Sequence, residues 1–166
     1  MILVKDVFWE EDRMSLRSAG DLAPDVGFST ADRQEINLVD FKGSQKVVLA
    51  FYGRAFTGGW ERELRKFQSL FSEFQQFDTQ VLGASSDAAP AQRAFAEHCE
   101  LQFPLVADFP SFAAAKAFGV FNEERLSDSR VTFVIDKDGV IQHVIDDPRD
   151  FERHATESLE IIKNLP

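Results

Sequence analysis

The chain has one strong nucleophile, the thiol of Cys99. A lone cysteine rules out an intramolecular disulfide and a cysteine-only metal site. Its neighbours Glu97 and Glu100 carry charge that raises a thiol pKa, and a free cysteine commonly serves as a small buried hydrophobe. His98, His143 and His154 are spread too widely to make a metal pair, so solvent-facing or capping roles are expected and no metal site is called for. Asp146, Asp147 and Asp150 read as a solvated acidic turn rather than a cation site. Gly58-Gly59 opens a helix, where free N–H groups could meet an anion, but the Lys and Ser/Thr of a nucleotide loop are missing. Thr57, just before the two glycines, has the side chain of an N-cap, and Arg130 is a candidate partner for a carboxylate such as Glu63.

These residues depend on a βαβ framework. Lys46 to Tyr52 is a continuous β-rich apolar run, the mark of a central buried strand. After Gly59, the residues Trp60, Leu64, Phe67, Phe71 and Phe74 recur every three or four positions, with Leu70 and Phe77 widening the stripe. Glu61, Arg62, Glu63, Arg65 and Lys66 fall on the other face of that helix. Further strands are expected over 35–38, 79–85, 103–108, 130–136 and 140–145. Further helices are expected over 88–100, 111–118 and 150–163, with Ser111 as a cap, Gly119 as a stop and Asp138-Gly139 as a hairpin turn. The order β-β-α-β-α-β-α-β-β-α belongs to an α/β fold.

The chain has 166 residues, enough for one domain, and 44% of them are hydrophobic. Residues 1–19 read as an N-terminal arm and 20–166 as the domain. A formal charge of −10 argues against a nucleic-acid partner and against an anionic membrane surface. No apolar run reaches the length of a membrane span or a signal peptide, and a single cysteine suits a reducing compartment, so a cytoplasmic location is expected.

The stretch Val47 to Leu64 resembles the signature loop of peroxiredoxins, in which a buried strand runs into Pro-x-x-x-Thr-x-x-Cys at the first turn of a helix. Gly20-Asp21-Leu22-Ala23-Pro24-Asp25, Asp40-Phe41-Lys42-Gly43, Val81 to Asp87, Phe103 to Phe109, Phe118-Gly119-Val120-Phe121 and Arg130 to Gly139 resemble further family segments in the same order. The resemblance spans residues 18–145, approaching most nearly the alkyl hydroperoxide reductase E and bacterioferritin-comigratory-protein types. It implies a thioredoxin-like fold of the peroxiredoxin type, a central mixed β-sheet flanked by helices.

On that alignment Thr57 and Arg130 stand at the family's Thr and Arg positions, Gly53 stands at its Pro, and Trp60 stands at its nucleophile. An indole has one N–H donor and no ionisable nucleophile, so no catalytic residue and no cofactor are expected. Trp60 should fill the peroxide pocket or swing outward, with Gly58-Gly59 giving room. Thr57, Trp60, Glu63, Arg130 and Gly53 are then remnants of the family pocket. Cys99 lies about three residues beyond the place of a family resolving cysteine, where this chain has Ala96. The resemblance implies a protein without peroxidatic chemistry, with a binding or interaction role and a homodimer through the active-site-loop face. The alternatives are an active thiol peroxidase with its nucleophile at position 60 exchanged, and chemistry moved to Cys99.

Overall fold

A computed structural model describes residues 15–166. The arm expected over residues 1–19 lies mostly outside the described residues. Its last part is tied down: Arg17 donates its N–H to the Phe118 carbonyl at 3.1 Å and its Nε to the Ala117 carbonyl at 2.9 Å.

The first strands of the described residues are an antiparallel pair, β1 (Gly27–Ser29) and β2 (Glu35–Asn37). β3 (Lys46–Phe51) leads to α1 (Gly58–Ser69) and α2 (Phe71–Gln76). Then come β4 (Thr79–Ser85), α3 (Ala89–His98), β5 (Leu105–Ala107) and α4 (Ala113–Phe118). A small hairpin, β6 (Phe121–Asn122) and β7 (Ser127–Asp128), precedes β8 (Val131–Ile135), β9 (Ile141–Asp146) and α5 (Arg153–Lys163).

Among the described residues the main sheet has seven strands, in the order β2-β1-β5-β4-β3-β8-β9. β3, β4 and β5 run parallel, whereas β8 is antiparallel to β3. The period of two in β3 divides the core. Val47, Leu49 and Phe51 face one layer with Phe118 and Phe133. Val48, Ala50 and Tyr52 face the other, with Leu64, Phe67, Phe95, Leu159 and Ile162. The expected mixed sheet flanked by helices is therefore present.

The structure departs from the sequence expectations in four places. The long aromatic helix breaks at Leu70, whose backbone leaves helical values at φ −105° and ψ 5°. Ser69 Oγ donates to the Lys66 carbonyl at 2.7 Å, a bond of the kind that competes with the helical ladder. The stripe nevertheless continues, with Phe67 and Phe74 both buried. β1 and the β6–β7 hairpin are too short to show alternation. Asp108, not Ser111, is the main cap of α4, accepting from Ala114 and Ala115 N–H at 3.0 and 2.7 Å. Ser111 Oγ accepts only a longer bond from Ala113, at 3.3 Å.

Candidate functional site

The site forms where β3 ends and β8 begins. Phe51 pairs with Val131 in register, so the loop after β3 lies beside Arg130, at the carboxyl end of the parallel strands. Trp60 stands in the first turn of α1, half-buried, with its ring centroid 6.2 Å from that of Tyr52. The Arg130 guanidinium carbon lies 3.5 Å from the Trp60 ring centroid and 4.1 Å from that of Phe151. The guanidinium is thus enclosed between two aromatic faces, the geometry of cation–π attraction.

Two glycines make this packing fit. A Cβ on Gly53 would come within 2.9 Å of Trp60 Cζ2, and one on Gly59 within 2.5 Å of Phe151 Cζ. Neither glycine has a positive φ, so close approach, not backbone freedom, accounts for them.

Beneath the aromatic layer, Glu63 is 1% exposed and Arg130 7%. Arg130 Nη1 donates to Glu63 Oε2, forming a buried ion pair. Glu63 Oε1 and Arg130 Nε, by contrast, have no hydrogen-bond partner among the described residues. Burial pushes the Glu63 carboxyl up, against the pull of Arg130. His154 Nδ1 lies 4.0 Å from Glu63 Oε1. His154 is fully buried; its Nε2 faces the Asp147 carbonyl at 2.8 Å and its Nδ1 meets Thr132 Oγ1 at 2.9 Å. Nε2 therefore carries the proton and Thr132 donates to Nδ1. Burial, helped by Arg130, lowers the His154 pKa and keeps the ring neutral.

The remaining sequence candidates have other surroundings. Thr57 occupies the N-cap position of α1, but its hydroxyl donates to the Arg54 carbonyl at 2.8 Å instead of capping the helix. Cys99 ends α3, 1% exposed, in the core layer with Phe95 and Phe103. Burial pushes its thiol up to about 11, with Glu61 adding to the shift, so the carboxylate responsible is not Glu97 or Glu100. Of the histidines, His98 pairs with Glu61 at 3.2 Å and His143 with Glu157 at 2.6 Å. His154 corrects the expectation of a solvent-facing or capping ring. Among the described residues no group of three or more His, Cys, Asp or Glu is placed to hold a metal ion.

Thus Gly53, Trp60, Glu63 and Arg130 come together, whereas Thr57 and Cys99 point elsewhere. Phe151 and His154 are additional members. For His154 the signal lay in the amphipathic pattern of α5, where it falls on the buried face with Ala155, Ser158, Leu159 and Ile162.

Comparison with known proteins agrees with this scaffold. Residues 19–144 match the AhpC/TSA family. The chain is 34% identical over 126 residues to alkyl hydroperoxide reductase E of Mycobacterium tuberculosis, covering 75% of this chain and 82% of that one. It is 33% identical over 147 residues to peroxiredoxin Bcp of Escherichia coli, covering 85% and 93%. Among solved structures, peroxidoxin BcpB from Mycobacterium tuberculosis superposes with a TM-score of 0.83 at 29% identity, covering 90% of this chain and 98% of that one. A cysteine-to-serine mutant of Xylella fastidiosa PrxQ gives 0.80 at 27% identity, covering 90% and 97%. The chain is a member of the AhpC/TSA family, with the thioredoxin fold of the peroxiredoxins.

Proposed function

We propose that this family member does not reduce peroxides and instead serves as a binding or interaction module on a redox-enzyme scaffold. A thiol peroxidase needs a thiolate, and a helix N-terminus beside an arginine is where one would be stabilised. Here that place holds the Trp60 indole, stacked on Arg130. The observation that carries the reading is the joint fit of Trp60, Phe151, Gly53 and Gly59, because a loop cut to the shape of an indole is not the site of a thiol. That fit also disfavours an otherwise active enzyme in which only position 60 had been exchanged. Chemistry at Cys99 is disfavoured by its burial and its raised pKa.

The interaction role is supported by the exposed apolar residues around the loop. Phe56 and Leu126 are each 55% exposed, and both sit at positive φ, at 59° and 50°. We place a homodimer contact on this face. A cytoplasmic location accords with the single cysteine, and no described helix is long and apolar enough to cross a membrane.

The test is hydroperoxide consumption with thioredoxin or a dithiol as reductant. The proposal expects the unmodified protein to match its Cys99→Ser variant, and turnover well above that variant would overturn it. Sedimentation of the protein and a Phe56→Glu variant tests the dimer face. A monomer in both cases would remove it.

A further inference from the structure

The carboxyl group of Asp128 lies outside the cluster around Trp60. It belongs to β7, is 5% exposed, and neither of its oxygens has a hydrogen-bond partner among the described residues. An ionised carboxylate without a partner is very costly to bury. Three charged groups on separate segments act on it through their charge. Asp108 stands at the end of β5, Asp87 in the turn after β4, and Arg54 in the loop after β3. The two carboxylates are fixed by structural bonds. Asp108 caps α4, and Asp87 Oδ2 accepts from Ala55 N–H and from Ser85 Oγ, both at 2.8 Å. Their charge cannot move away from Asp128. Burial and these two neighbours push the Asp128 carboxyl up to about 8, against the pull of Arg54.

Arg54 joins the hairpin to the loop ahead of α1. Its Nη2 donates to the Arg125 carbonyl at 3.1 Å and to the Leu126 carbonyl at 3.2 Å, both at the hairpin tip. Ser86 Oγ adds a third bond to the Leu126 carbonyl, at 3.3 Å. The hairpin pairs Phe121 with Asp128 and Asn122 with Ser127, with further bonds from Ser129 N–H to the Val120 carbonyl at 2.8 Å and from Arg125 N–H to Asn122 Oδ1 at 2.9 Å, and residues 123–126 are exposed. An element with so few internal bonds is held in place mainly by what it touches.

We propose that the β6–β7 hairpin is a base-sensitive latch, closed over the ends of β4 and β5 while Asp128 carries its proton and released when that proton is lost. Ionisation puts a third negative charge beside Asp87 and Asp108. The repulsion is relieved when the hairpin lifts and carries Asp128 to water, away from Asp87 and Asp108. That movement breaks the Arg54 bonds that tie the hairpin tip to the Gly53–Thr57 loop. The latch acts whether or not the chain turns over peroxide.

Amide hydrogen exchange read by mass spectrometry tests the latch, with rates divided by the intrinsic rate at each pH. For peptides covering residues 119–130 and 53–58, protection should fall roughly tenfold or more between about pH 7 and about pH 9.5, while peptides from β3 and β4 keep theirs. Asp128→Asn should hold the hairpin closed across the range. Unchanged protection in the wild type, or an equal fall in the variant, would overturn the proposal. Should the variant not fold, carbon NMR of the wild-type Asp128 carboxyl decides. A midpoint well above the usual carboxylate range supports the latch, and a midpoint within that range removes it.

Discussion

Replacing Gly53 with Ala should destabilise the protein only while Trp60 is present. At a glycine without positive φ, alanine ordinarily raises stability by about 0.4–1 kcal/mol, because the unfolded chain loses freedom. Here the new methyl would lie 2.9 Å from Cζ2 and 3.2 Å from Cε2 of Trp60. Carbon atoms prefer about 3.5–4.0 Å, so the indole must shift by several tenths of an ångström. The shift disturbs its stacking on Arg130, now at 3.5 Å. Overpacking of this kind costs about 1–3 kcal/mol, which exceeds the entropic gain. Gly53→Ala alone should therefore lower stability by about 0.5–2 kcal/mol. In a Trp60→Ala background the clash is gone, and the same change should be neutral or stabilising by about 0.5 kcal/mol. Urea unfolding of the four proteins, followed by far-ultraviolet circular dichroism, closes the double-mutant cycle. The expected coupling is about 1–3 kcal/mol, and additivity within about 0.5 kcal/mol would show that the loop is not fitted to the indole.

Other perturbations address the surrounding groups. Arg130→Met strips Glu63 of its partner, a loss of about 3–5 kcal/mol when the carboxylate stays charged. Because Glu63 can escape by taking a proton, the measured loss should grow as pH rises; a loss independent of pH would contradict the raised Glu63 pKa. Asp128 binds its proton up to about pH 8 when folded, whereas an unfolded carboxyl releases it near about pH 4, so its contribution is complete below about pH 4 and lost as pH rises toward 8. Asp128→Asn should therefore remove about 1–3 kcal/mol of the decline in stability between about pH 5 and pH 8, and parallel profiles would refute this. His154 acts in the opposite direction. Its pKa is lowered by burial, so stability should fall as pH drops below about 6.5, and His154→Gln should flatten that limb of the unfolding profile. Alkylation of Cys99 should be slow at neutral pH and still rising near pH 10, and a midpoint at or below that of a free thiol, about 8.5, would show a reactive group.

The fold was legible in the sequence wherever burial imposes a long period. The run Lys46–Phe51 and the stripe from Trp60 to Phe74 identify the central strand and the helical face laid on it. The hairpin turn at Gly139 and the stop at Gly119 were also legible, and both residues have positive φ. Short elements were not, because Gly27–Ser29 and the two-residue strands β6 and β7 depend on pairing with distant segments. The resemblance to the peroxiredoxins brought Gly53, Thr57, Trp60, Glu63 and Arg130 forward as a group, and the structure brings four of them together. Thr57 departs because its hydroxyl finds the nearby Arg54 carbonyl first. Phe151 and His154 were missed because Gly59 and Arg130, which meet Phe151, and Thr132, which meets His154, lie far away in the chain.

The most direct measurement is steady-state consumption of hydrogen peroxide and an organic hydroperoxide by the unmodified protein, with excess dithiol or thioredoxin and its reductase. We expect a rate indistinguishable from that of Cys99→Ser. Sustained turnover clearly above that control would mean that Cys99 attacks peroxide, contradicting the reading of this chain as a family member without peroxidatic chemistry.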